Sequence, residues 1–168
     1  LIGEKNKGWF PLMTCLNLER CWTRGGMWMY VSRVVEELVG YAKETKSGGK
    51  SLAENPLVRH KLAQLAIESE VCRLFQYRVI WMLQNRAIPE YEASVTKMFA
   101  DELAQHLGRV GAEVLGLFGQ LKKGAKWSPL QGKIADLYMK SIGLTIAAGT
   151  SEVQRNIIAS RGLKLPRD

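Results

Sequence analysis

Apolar residues recur along this chain at steps of three and four, and that period constrains the fold more than any other feature. Met27, Val31, Val34, Leu38 and Tyr41 make one stripe. Val58, Leu62, Leu65, Cys72, Val79 and Leu83 make a second, with Ser69 and Phe75-Gln76 at seam positions, and Phe99, Leu103, Leu107, Val110, Val114 and Leu117 make a third. A strand would alternate every second residue, whereas these spacings fill one face of a helix. Gly and Pro punctuate the pattern at Ser47-Gly48-Gly49, Asn55-Pro56, Ile88-Pro89 and between Lys122 and Pro129. The spacing predicts four or five helices, over 8–45, 56–85, 90–118, 130–142 and 151–161. Those of roughly 30 residues would run about 45 Å. Short connections make neighbours antiparallel, so the expected fold is all-α: an up-and-down four-helix bundle with short extra C-terminal helices.

A chain of 168 residues is one domain's worth of core. The net charge of +8 raises the question of nucleic acid, but Lys and Arg are spread over every segment. The only cluster is Lys122, Lys123 and Lys126 beside Gly124, and solvated surface charge is the default reading. No apolar run reaches membrane-spanning length and no signal segment opens the chain, so a cytoplasmic protein is expected. Cys15, Cys21 and Cys72 have no metal-ligand spacing and read as reduced core thiols; no metal site is expected. Gly25-Gly26 weakens the first helix by about 1 kcal/mol per Gly. The absence of an opening Met suggests a fragment, a processed product or a trimmed chain.

Near the end, Gly149-Thr150-Ser151-Glu152-Val153-Gln154-Arg155 reads as a Gly turn opening into a capped helix. Ser151 and Gln154 have capping-box spacing. The remaining N–H groups and the positive end of the helix dipole would favour a phosphate, although most capped helix starts meet only water.

This run and the Leu165-Pro166-Arg167 tail resemble the C-terminal signature of the acyl-CoA dehydrogenases. The stretch from Leu1-Ile2-Gly3-Glu4 through Gly8-Trp9 to Leu18-Glu19-Arg20 is similar to that family's entry into the first helix of its C-terminal bundle. The resemblance covers essentially the whole chain. It implies that residues 1–168 are that helical domain, with 1–8 the tail of a preceding middle domain, and that the parent holds FAD.

The family's chemistry needs a carboxylate to take the α-proton of an acyl thioester while hydride leaves the β-carbon. Members carry this base in one of two places. The first, directly before the Gly-Thr-Ser run, is Ala148 here, which has no acid–base chemistry; the second is Glu19. The resemblance therefore implies Glu19 as base, in an apolar pocket that raises its pKa, with Leu16, Leu18 and Trp22 as flanks. Read by itself, Glu19-Arg20 is a surface ion pair. The resemblance further implies that Arg20 and Asn17 contact the coenzyme A substrate.

For the cofactor, the resemblance implies that Gly149, Thr150, Ser151 and Glu152 meet the flavin, while Glu113 through Gly116 reach a neighbouring subunit's flavin. The segment 41–50 departs from the family. Where members commonly carry an Arg for the pyrophosphate and a Phe, this chain has Thr45 and Gly48, and a hydroxyl does not replace a bidentate guanidinium. Lys46 and Lys50 are the nearby cations. The implied partners are an acyl-CoA, electron-transfer flavoprotein or a similar acceptor, and further copies in a homodimer or tetramer. Two other readings stand beside an acyl-CoA dehydrogenase domain. One is a non-catalytic partner subunit of a heteromeric dehydrogenase, suggested by Ala148 and Thr45; the other is a dehydrogenase-like DNA-binding flavoprotein, against which stands the lack of aromatics interleaved with the basic cluster.

Overall fold

The computed structural model describes residues 2–166 other than 24 and 25, and of residues 22 and 23 the backbone only. The expected bundle is present as α1 (Trp9–Thr23), α2 (Met27–Glu44), α3 (Pro56–Gln84), α4 (Glu92–Leu115), α5 (Lys133–Leu144) and α6 (Ser151–Ile157). Its core is the set of stripes read above. Val31, Val34 and Leu38 of α2, Leu62, Leu65 and Cys72 of α3, and Leu103, Leu107 and Val110 of α4 join one buried cluster with Ile134 and Leu137 of α5. Ser69 and Gln76 are buried at the seam.

From α3 to α5 the helices are antiparallel in turn. Lys61 at the start of α3 is ion-paired with Glu113 at the end of α4, while Arg78 lies 3.7 Å from Glu92 at the opposite end. Between α4 and α5 the order also reverses: Gly111 faces Ile134, and Gln105 donates to Thr145 Oγ1 at 3.0 Å. Asn55 caps α3 by accepting from Leu57 N–H at 2.9 Å, with Pro56 at the first helical position, where its missing N–H is not needed.

Four boundaries differ from expectation. The span 8–45 is two helices, because the chain turns at Gly26 before α2; Gly25 and Leu1 lie outside the described residues. Residues 46–51 form a two-rung hairpin, Lys46 opposite Ser51, through Gly48 and Gly49 at φ of 60° and 83°. α4 ends where Gly116 takes φ 58° and ψ −137°, a conformation Gly reaches without strain, so Leu117 leaves the stripe and stands 83% exposed. α5 starts at Lys133 because Leu130, Gln131 and Gly132 all hold positive φ and cannot open a right-handed helix. Of the thiols, Cys21 and Cys72 are buried but Cys15 is exposed. Among the described residues, no helix is long and apolar enough to cross a membrane.

Candidate functional site

Gly149, at φ 96°, delivers the chain in extended form to Thr150, whose hydroxyl accepts from Val153 N–H at 3.3 Å. The cap is therefore Thr150. The expected Ser151–Gln154 capping box does not form, because Ser151 is already helical and buried, and Gln154 turns inward. Its amide donates to the carbonyls of Ala148 at 3.1 Å and Gly149 at 3.2 Å.

The N–H groups expected to point out at this helix start are also taken. Ser151 N–H goes to Thr145 O at 3.3 Å, and Val153 N–H to the Thr150 hydroxyl. The Glu152 carboxylate accepts from its own backbone N–H and from the Thr150 hydroxyl, which hold its pKa below the usual carboxylate range.

Beneath the turn lies a residue that periodicity did not single out. Lys97 and Asp101, one turn apart on α4, are both fully buried, Nζ to Oδ2 2.9 Å. The ammonium also donates to Gly149 O at 2.6 Å and Leu144 O at 3.4 Å. A lysine in a helical pattern reads as solvated surface. The signal that marks this one is its place on the stripe Ala93, Lys97, Ala100, Ala104, Leu107, with Asp four residues on.

Asn17, Glu19 and Arg20 sit on the last turns of α1. Arg20 is part-buried and donates from Nη1 to Asn17 Oδ1 at 2.9 Å. Burial, then the like charge of Arg161, push the guanidinium pKa down, against the pull of Glu19. Glu19 is exposed and Leu18 is 42% exposed, so the expected apolar pocket around Glu19 is not formed within this chain. The reason is the orientation of α1: it presses Cys21 onto Val79 and Ala93, with Gln76 donating to Cys21 O at 3.3 Å, and leaves its Glu19 face outward. The side chain of Trp22, and Arg167 of the tail motif, lie outside the described residues.

Thr45, Glu113 and Gly116 lie at the other end. Thr45 ends α2 and donates its N–H to Tyr41 O at 2.9 Å. Glu113 is exposed and held by Lys61. Lys97 and Glu113 are 16 residues apart on one straight element, about 24 Å at 1.5 Å per residue. The fold thus gathers Asn17, Arg20 and the 149–152 turn toward the start of α4, and keeps Thr45, Glu113 and Gly116 away from them.

Residues 6–163 match the family model described as acyl-CoA dehydrogenase, C-terminal domain. The chain is 30% identical over 173 residues to the acyl-CoA dehydrogenase FadE26 of Mycobacterium tuberculosis, covering 99% of this chain and 42% of that one. It is 27% identical over 163 residues to the caffeyl-CoA reductase-Etf complex subunit CarC of Acetobacterium woodii, covering 97% and 41%. Among solved structures, the ChsE4-ChsE5 complex from Mycobacterium tuberculosis superposes with a TM-score of 0.85 at 31% identity, over 99% of this chain and 43% of that one. The chain spans about two-fifths of the length of these relatives. By both the matched model and the superposed fold, it belongs to the acyl-CoA dehydrogenase family, as the C-terminal helical domain.

Proposed function

We propose that this domain supplies one wall of the active site of a flavin-dependent acyl-CoA dehydrogenase that oxidises an acyl-CoA thioester to the 2,3-enoyl-CoA. The observation that carries the reading is that Ala148 fills one of the two family positions for the base while a carboxylate, Glu19, fills the other, beside an Arg20 tethered to Asn17. Glu19 takes the substrate α-proton on its carboxylate. Arg20, oriented by Asn17, holds the thioester end, and its partial burial strengthens that contact. The apolar cover that would make Glu19 a stronger base comes from the parent outside this domain.

The exposed edge of the turn fits a flavin: Ala148 and Gly149 are held from inside by Lys97 and Gln154. The start of α6 does not fit the pyrophosphate, since its N–H groups are used and Thr45 brings no guanidinium. FAD, when bound, accepts the hydride from the β-carbon. Glu113 and Gly116, at the far end, face a neighbouring subunit's flavin in a homodimer or tetramer, and CarC's place in an Etf complex favours an electron-transfer flavoprotein as acceptor.

A heteromeric parent is the second reading. It is favoured by Ala148 and Thr45 together with solved relatives that pair two names, the ChsE4-ChsE5 complex and the steroid dehydrogenase Tcur3481-Tcur3483. Stopped-flow bleaching of oxidised flavin by a panel of acyl-CoA thioesters tests both. The full-length protein alone should bleach; activity that appears only on adding a second gene product would establish the heteromer, and no bleaching in either case would end the acyl-CoA reading.

A further inference from the structure

Lys97 has the largest fully buried side chain among the described residues. Removing an ammonium from water is costly even when it is paired, and an apolar residue in its place is often no less stable. The rest of its stripe, Ala93, Ala100, Ala104 and Leu107, is apolar, so the core does not need a charge there. One role is local: Leu144 is the last residue of α5, and a cation at a helix C-terminus meets the negative end of the dipole. Yet the shorter contact is with Gly149 O, at 2.6 Å against 3.4 Å.

That contact belongs to a set. Gly149 O takes donors from Lys97 and Gln154, and Ala148 O takes Gln154 as well. Both carbonyls are drawn inward, which turns the opposite edge of the two peptides outward. The backbone pays for this arrangement. Ala148 sits at φ 56°, in the left-handed region that disfavours a residue with a β-carbon. Gly149 at φ 96° is in a conformation that strains any residue with a β-carbon, and a β-carbon there would also lie 2.6 Å from Gln154 Nε2 and push that amide off its carbonyls.

We propose that Lys97, neutralised by Asp101, is a positioning residue for the dehydrogenation: its ammonium fixes the Ala148–Thr150 turn so that the outward edge meets flavin and substrate in one orientation. The proposal rests on the acyl-CoA dehydrogenase reading above. Lys97 touches neither flavin nor substrate. It acts through Gly149.

The test uses the full-length protein with Lys97→Met/Asp101→Leu, which removes both buried charges while keeping the volume apolar, and separately Gln154→Leu, which removes the other donor and leaves the ion pair intact. Hydrogen exchange of peptides spanning 145–155 should speed up by about tenfold or more in either variant, with α3 unchanged. Flavin reduction at saturating acyl-CoA should fall by about 10-fold to 100-fold while the acyl-CoA Kd moves less than about threefold, the split expected when a bound geometry loosens. Unchanged exchange in a folded variant overturns the proposal, as does faster exchange with wild-type reduction. If the double variant does not fold, Lys97→Gln/Asp101→Asn, which keeps polar atoms in the pair but removes the ammonium, decides by the same two readouts. A wild type that binds flavin but is never reduced by acyl-CoA would instead sink the functional reading, and with it the catalytic part of this proposal, leaving the exchange result to show whether Lys97 holds the turn.

Discussion

Gly108 on α4 lies directly against the backbone of Tyr138 on α5: a β-carbon at Gly108 would stand 3.0 Å from Tyr138 Cα and 3.2 Å from its N. Backbone gives way less readily than a flexible side-chain end, so this contact sets how closely the two helices approach. Gly108→Ala should therefore cost about 1–3 kcal/mol as an overpacking substitution. At about 2–4 °C per kcal/mol for a chain of this size, a thermal melt resolves it. A melt equal to the wild type would show that α5 has room to move.

The three thiols should separate by reactivity. Cys15 is exposed and should react with a thiol reagent in the native state, while Cys21 and Cys72 should wait for unfolding. Mass spectrometry of the partly labelled protein, showing one adduct before unfolding and three after, checks this.

Burial, reinforced by the charge of Asp101, pushes the Cys72 thiol up to about 11 from its ordinary 9.0. In the unfolded chain the thiol ionises near 9 and in the folded one near 11. Its contribution to stability is therefore complete below 9 and lost as the pH rises from 9 toward 11. Cys72→Ala, which has no thiol to titrate, should lose less melting temperature over that window than the wild type. Parallel losses would show that the thiol reaches water.

Thr150→Val keeps the shape of the cap but removes the hydroxyl that serves Val153 N–H and the Glu152 carboxylate. A cost of about 1 kcal/mol is expected. The hydroxyl helps hold the Glu152 carboxyl low, and that contribution is present above the ordinary carboxylate range and lost as the pH falls through the folded pKa. The variant should therefore be closer to the wild type in acid than at neutral pH, as read by urea midpoints at the two pH values.

In the full-length enzyme, Glu19→Gln keeps shape and acyl-CoA binding but has no proton acceptor. Flavin reduction should slow by about 10²-fold to 10⁴-fold. Adding Ala148→Glu to that variant should restore part of the rate, since the two positions serve the same α-carbon in the family. Near wild-type reduction by Glu19→Gln would remove Glu19 from the mechanism.

The bundle was legible because burial follows a period: Leu62, Leu65, Ser69, Cys72, Gln76 and Val79 line up on one face whether or not each is apolar. The ends of elements were less so. At Thr150 against Ser151, either hydroxyl suits a cap, and the choice is made by the φ of Gly149, which no side-chain pattern reports. Lys97 was missed because its type argues for solvent and only its register argues for the core. The environment of Glu19 was not readable at all, since the groups needed to bury it are not among the neighbours that α1 has in this domain.

The distance along α4 between its two ends has a genealogical consequence. A gene for a rod whose ends serve different pockets can be duplicated, and each copy can then decay at one end while the other copy preserves it.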